Sequence, residues 1–143
     1  MSTTKPIWIV DDDQSIRFVL EKALLREGLP TRSFLNPKEV LQALDHSEAD
    51  QMPLVLVSDI RMPGGSGLDL LNQVKARMPG LPVIIMTAFS DLDSAVSAFQ
   101  SGAFEYLAKP FDLPKAIELI RRAVEESQRE DGVQVEVDSQ HEM

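Results

Sequence analysis

The sequence predicts an α/β protein in which five parallel strands form one doubly wound sheet, with five helices on its two faces. Three observations carry this. From Ile7 to Val124, short apolar runs alternate with longer amphipathic segments, the signature of repeated βα units. Two of the runs, Leu54–Val57 and Val83–Met86, are continuously apolar, as strands covered on both faces must be. Polar residues follow the runs at matching places: Asp11 and Asp12, Asp59, Thr87 and Lys109. In an open parallel sheet that edge is where ligands bind.

The elements follow in order. Ile7-Trp8-Ile9-Val10 is the first strand. A helix starting near Gln14 or Ser15 presents Ile16, Val19, Leu20, Ala23 and Leu24 at helical spacing and stops at Gly28, a residue suited to the left-handed conformation after a last turn. Thr31–Phe34 is a weak second strand. Asn36-Pro37-Lys38-Glu39 combines a cap, a first-turn proline and a capping-box acid, and Val40, Leu41 and Leu44 give the second helix its stripe. Asp45–Pro53 is polar and expected to be loop.

After the third strand, Pro63-Gly64-Gly65-Ser66-Gly67 is expected to be irregular, with a third helix from about Leu68 to Arg77 ended by Pro79-Gly80. The fourth strand is Val83–Met86. Ser90 or Asp91 caps a fourth helix that runs to about Ser101 and stops at Gly102. Its sizeable apolar residues are Leu92, Val96 and Phe99, so it has little to bury and is expected to be loosely held. Phe99, Phe104 and Phe111 are expected in or beside the core. A short strand through Tyr106-Leu107-Ala108 precedes Lys109-Pro110, where a cis bond is one option. Asp112 then caps a last helix with Ile117, Leu119, Ile120, Ala123 and Val124. Residues 1–126 form one domain. Residues 127–143 are polar and acidic and are expected to be a flexible linker, with alternating Val133, Val135 and Val137 as the competing reading of a lone strand.

Composition narrows the function classes. The hydrophobic share of 43% and charged share of 26% are those of a globular protein, and the absence of cysteine excludes disulfides and thiolate metal sites. The formal charge of −9 argues against this segment gripping nucleic acid through phosphates. With no secretory signal and no apolar run near the ~20 residues of a spanning helix, a cytoplasmic location is expected.

Acids before a helix are commonly a cap with favourable charge at the positive end of the helix dipole. Asp59, at the same place on another strand, shifts the reading. Two like charges 4 Å apart repel by about 1 kcal/mol in water and about 4 at an effective dielectric near 20. Three carboxylates therefore share a crevice only with a cation or with raised pKa values. All-oxygen ligation by few protein groups suits Mg2+. Lys109 would bring an ammonium to the same edge, Thr87 a hydroxyl donor, and Ala88 space beside it. The chemistry that follows is an aspartate accepting a phosphoryl group as a mixed anhydride. A hydroxyl drawn to that group would leave room for Tyr106 to rotate and for the fourth helix to repack.

These residues resemble the receiver domains of two-component response regulators over about Ile7 to Val124. The motifs are Val10-Asp11-Asp12, Ser58-Asp59-Ile60-Arg61-Met62-Pro63, Met86-Thr87-Ala88 and Lys109-Pro110-Phe111, in order at successive strand ends. Within that family the chain is similar to the nitrogen-regulation (NtrC) branch, through stretches such as Trp8–Asp13, Leu56–Pro63 and Ser90–Ala98. The resemblance implies a flavodoxin-like sheet of order 2-1-3-4-5 and Asp59 as phosphoacceptor. It implies Mg2+ (or Mn2+) held by Asp11, Asp12, Asp59 and the main-chain carbonyl of Arg61, with Lys109 on the phosphoryl group and Thr87 and Tyr106 as a switch pair. It also implies a sensor histidine kinase as donor, following ATPase and DNA-binding domains, and a dimer or higher assembly. The loop Gly64-Gly65-Ser66-Gly67 departs from the family in lacking an acid or bulky residue.

Three other readings compete: a stand-alone receiver, a Mg2+-dependent phosphatase and a docking module without turnover. The phosphatase needs a second acid two residues after its nucleophile, where this chain has Arg61. His46 and His141 belong to no site.

Overall fold

The structure, a computed structural model, describes residues 5–62, 65–88 and 90–132. Strand β1 (Ile7–Val10) leads through α1 (Gln14–Arg26), β2 (Thr31–Phe34) and α2 (Pro37–His46) to β3 (Val55–Asp59). Then come α3 (Gly67–Arg77), β4 (Val83–Ala88), α4 (Leu92–Gln100), β5 (Glu105–Lys109) and α5 (Leu113–Gly132). The five strands are parallel and lie in the order β2-β1-β3-β4-β5. That is the predicted fold. It places β1 and β3 side by side at the centre, with Val10 opposite Ser58 and Asp59 opposite Met86.

Strand alternation sends side chains into two cores. Trp8, Val10, Leu56, Val83 and Ile85 face α2 and α3 on one side. Ile7, Ile9, Val55, Val57, Ile84 and Met86 face α1 and α5 on the other. Such two-sided cover explains why β3 and β4 read as unbroken apolar runs.

Local signals set most boundaries. Asp13 caps α1 by accepting from Ser15 N, and Gly28 takes a φ of 77° after its end. Asn36 accepts from Glu39 N while Glu39 Oε1 accepts from Leu35 N, with Pro37 in the first turn. The Lys109–Pro110 peptide is cis.

Five expectations are corrected. Gly65–Ser66 is not loop: it pairs antiparallel with Arg61–Met62, and Gly67 already belongs to α3; Pro63 and Gly64 lie outside the described residues. The Asp45–Pro53 stretch is not all loop, since α2 continues to His46 and a 3-10 turn occupies Ala49–Gln51. Val19 points outward, because Leu20, Ala23 and Leu24 already fill the buried face of α1. Phe99 is 43% exposed rather than core, since Ala95 and Ala98 fill the buried face of α4 and leave Leu92 and Val96 exposed, while the Phe99 ring reaches Tyr106 on the edge strand. Phe104 and Phe111 do pack against the core. Finally, α5 runs on to Gly132, past the composition change at residue 127. Val133, Val135, Val137 and His141 lie outside the described residues. Among the described residues no helix is long and apolar enough to cross a membrane.

Candidate functional site

Parallel pairing of β1, β3, β4 and β5 brings their carboxyl ends to one edge, and with them Asp11, Asp12, Asp59, Thr87 and Lys109. Asp11 is wholly buried, Asp59 and Thr87 are buried, and Asp12 is exposed. One oxygen from each of Asp11, Asp12 and Asp59 lies within 4.8 Å of the others, a spacing that could hold a metal ion. The donors are all carboxylate oxygens, which fits a hard cation such as Mg2+.

Lys109 Nζ bridges the two buried acids, 2.9 Å from Asp11 Oδ2 and 3.3 Å from Asp59 Oδ1. Asp11 Oδ1 accepts from Asp13 N at 2.9 Å, and Asp59 Oδ1 from Ile60 N at 2.9 Å. Burial pushes the Asp59 carboxyl above its ordinary value and the charge of Asp11 adds to that, against the pull of Lys109 and the Ile60 amide. For Lys109, burial acts to lower the pKa, but the hydrogen bond and charge of Asp11, then those of Asp59, outweigh it and hold the ammonium above the usual value. The two directions oppose each other within one ion pair. The charged lysine is the firmer of the two, because it faces two acids while Asp59 faces one cation and one anion.

Thr87 lies at the same edge, yet its hydroxyl donates to the main-chain oxygen of Asp91 at 3.3 Å, the residue that caps α4. Ala88 is exposed beside it. Tyr106 is half-buried and packs edge-on against Phe99 of α4 at 5.8 Å between ring centroids. It therefore stands on the α4 side of β5 and outside the carboxylate cluster. Arg61 is exposed, with its guanidinium on Asp91. His46 caps its own helix through Gln42 O and is remote from the site.

Three contributors escaped the sequence reading. Arg17 Nη1 donates to Asp11 O at 2.6 Å and pins the turn that carries the acids; its spacing from Asp11 has no motif value. Gly67 packs on the carboxyl end of β3: a Cβ there would stand 2.3 Å from Asp59 O and 2.7 Å from Ile60 Cα. The flanking glycines hid it, since any of them could serve a loop. Asp91 was legible as a cap but not as the partner of Arg61 and Thr87, contacts that only folding creates.

The sequence profile of the response regulator receiver domain matches residues 7–121. The chain belongs to the response regulator receiver family. Within it this receiver domain is NtrC-like. It is 58% identical over 124 residues to the DNA-binding transcriptional regulator NtrC of Escherichia coli (strain K12), covering 87% of this chain and 26% of that protein. It is 42% identical to the response regulator protein PilR of Pseudomonas aeruginosa, covering 87% and 27%. The apo receiver domain of nitrogen regulatory protein C, solved in solution, superposes with a TM-score of 0.76 at 57% identity, covering 89% of this chain and 99% of that one. NtrX from Brucella abortus in complex with ADP gives 0.82 at 32% identity, covering 92% and 29%. The receiver domain thus spans about a quarter of the length of the curated relatives it matches.

Proposed function

We propose that this receiver domain accepts a phosphoryl group on Asp59 in a Mg2+-dependent reaction (Mn2+ serving as well) and passes the signal through α4, β5 and α5 to transcription activation. The observation that carries the reading is Lys109 bridging Asp11 and Asp59, with Asp12 in reach of the same point. Carboxylates packed this closely serve no core, whereas they serve an anion-and-cation site well.

Asp11, Asp12, Asp59 and the Arg61 carbonyl would hold the ion, which supplies charge neutralisation for the acids and for the transferring oxygens. An Asp59 oxygen attacks phosphorus. The new O–P bond forms as the bond from phosphorus to the donor breaks, and the leaving group departs with that electron pair and takes a proton. Lys109 Nζ, already beside Asp59, turns to the incoming phosphoryl oxygens and stabilises their charge. Thr87 exchanges the Asp91 carbonyl for a phosphoryl oxygen, and Ala88 leaves the approach open. That exchange frees the first turn of α4, and Tyr106, against Phe99, follows it.

The donor is a phosphohistidine of a sensor histidine kinase, with small phosphodonors substituting for it, and water attack on the anhydride gives slow self-dephosphorylation. In the full-length protein an ATPase domain and a DNA-binding domain follow residues 127–143, the whole is cytoplasmic, and it assembles as a dimer or higher oligomer. The Mg2+-dependent phosphatase reading is weakened by Arg61, an exposed cation at the position where that chemistry needs an acid.

Incubation with Mg2+ and acetyl phosphate, read by intact mass, tests the proposal. One added phosphoryl group, absent in Asp59→Asn, is expected. Continuous phosphate release without a stable adduct at Asp59 points to the phosphatase instead.

A further inference from the structure

Arg61 follows Asp59 by two residues, and Asp91 follows Thr87 by four. Because Asp59 is opposite Met86 in the sheet, the two segments leave neighbouring strands at neighbouring points. Arg61 joins them. Its Nε and Nη2 lie 3.3 and 2.9 Å from a single oxygen, Asp91 Oδ2, which also accepts from Ser94 Oγ at 2.8 Å. The other end of Asp91 is held too, its main-chain oxygen accepting from Thr87 Oγ1 and, at 3.4 Å, from Ala95 N. Hydrogen bonds from the Ser94 hydroxyl and then from Arg61 keep the Asp91 carboxyl below its ordinary value, so it is ionised throughout the working range.

Arg61 is 77% exposed in its side chain and Asp91 17%, so the strength of the pair is that of a surface contact. Its importance lies in what it connects. On one side is the residue whose carbonyl is assigned to the cation under the reading above; on the other is the residue where Thr87 and the start of α4 meet.

We infer that the Arg61 side chain is a positioning residue: its ion pair with Asp91 fixes the residue-61 carbonyl for a divalent cation and links cation binding to the first turn of α4. The inference rests on the phosphoacceptor reading and adds a partner to it. Linkage is reciprocal, so an ion that tightens residue 61 also steadies Asp91, and loosening Asp91 weakens the ion.

Mg2+ titration of the whole chain, followed by amide chemical shifts, measures this in the unmodified protein, Arg61→Gln, Asp91→Asn and the double variant. Asparagine keeps the helix cap, so α4 stays folded. Each single change is expected to weaken Mg2+ binding about threefold, and the double change no more than either alone. Electrostatics without linkage gives opposite signs, since losing a positive charge near a cation strengthens binding and losing a negative charge weakens it. Opposite signs, additive losses or unchanged affinities overturn the inference and leave the phosphoacceptor reading standing. Failure of the unmodified chain to bind Mg2+ overturns both. Hydrogen exchange gives a second readout: Mg2+ slows the Ser94 and Ala95 amides in the unmodified chain and leaves them unchanged in either single variant. Equal slowing in all of them overturns the linkage.

Discussion

Lys109 Nζ sits 2.9 Å from Asp11 Oδ2 across 98 residues of sequence, and this contact ties the last strand to the first over the top of the sheet. Asp11 is completely buried, and the ammonium and the Asp13 amide are its side-chain partners. Removing the lysine leaves two buried carboxylates facing each other. Lys109→Ala is therefore expected to destabilise the fold by about 1–3 kcal/mol, with Mg2+ restoring part of the loss. Urea unfolding with and without Mg2+ measures it; a variant as stable as the parent in metal-free buffer contradicts this account. Phosphoryl acceptance should fall at least tenfold.

Asp59 carries the opposite expectation. Its raised pKa means that the folded state disfavours the charged form. Asp59→Asn keeps the shape and drops the charge, so it should gain stability while losing all phosphoryl acceptance. A thermal scan beside the mass experiment reads both, and a lower melting temperature contradicts the first part.

The same shift fixes the sign of a pH effect. Between the unfolded value of 3.8 and the raised folded value, the folded chain binds more protons, so this residue makes stability fall as pH rises through that window. Lys109, raised above 10.5, contributes stability that is complete below that pH and lost as pH climbs through its folded value. For acceptance, Asp59 must be ionised. Initial rates with acetyl phosphate should therefore rise with pH along an acid limb above the ordinary carboxylate range, and the limb should move to lower pH as Mg2+ is increased. A limb that ignores Mg2+ would place the titration elsewhere.

Gly67 should tolerate no side chain. With 2.3 Å to Asp59 O and 2.7 Å to Ile60 Cα, an added Cβ meets backbone that cannot swing away. Gly67→Ala is expected to cost about 2–4 kcal/mol and to slow acceptance by displacing the strand end. Retained stability and rate would show that α3 can shift at no cost.

Leu92, Val96 and Phe99 are exposed on α4, and Phe99 meets Tyr106 of β5; under the proposed function this is the face that responds. Phosphorylation should move amide resonances of α4, β5 and α5 more than those of α2, which is capped at Asn36 and packed through Val40, Ala43 and Leu44. Equal shifts in both regions would refute a localised switch.

Helix α4 shows where reading the sequence succeeded and where it fell short. Its cap, its stop at Gly102 and its poverty of large buried groups are local properties and were legible. Which side faced the sheet was not, because Ala95 and Ala98 compete with Leu92, Val96 and Phe99 for the buried face, and backbone proximity settled it for the alanines. Gly65–Ser66 is a similar case: a glycine-rich stretch has no pattern of its own, and its pairing with Arg61–Met62 came from the partner strand.

By itself the sequence determined the alternation of strands and helices, the strand-end positions of Asp11, Asp12, Asp59, Thr87 and Lys109, and the family to which they belong. Periodicity and capping act over a few residues, so they survive in a linear reading. Tertiary structure alone decided that Lys109 spans Asp11 and Asp59, that Thr87 and Arg61 converge on Asp91, and that Gly67 must remain bare. Those contacts join segments far apart in the chain, and their distances follow from the order and register of the sheet.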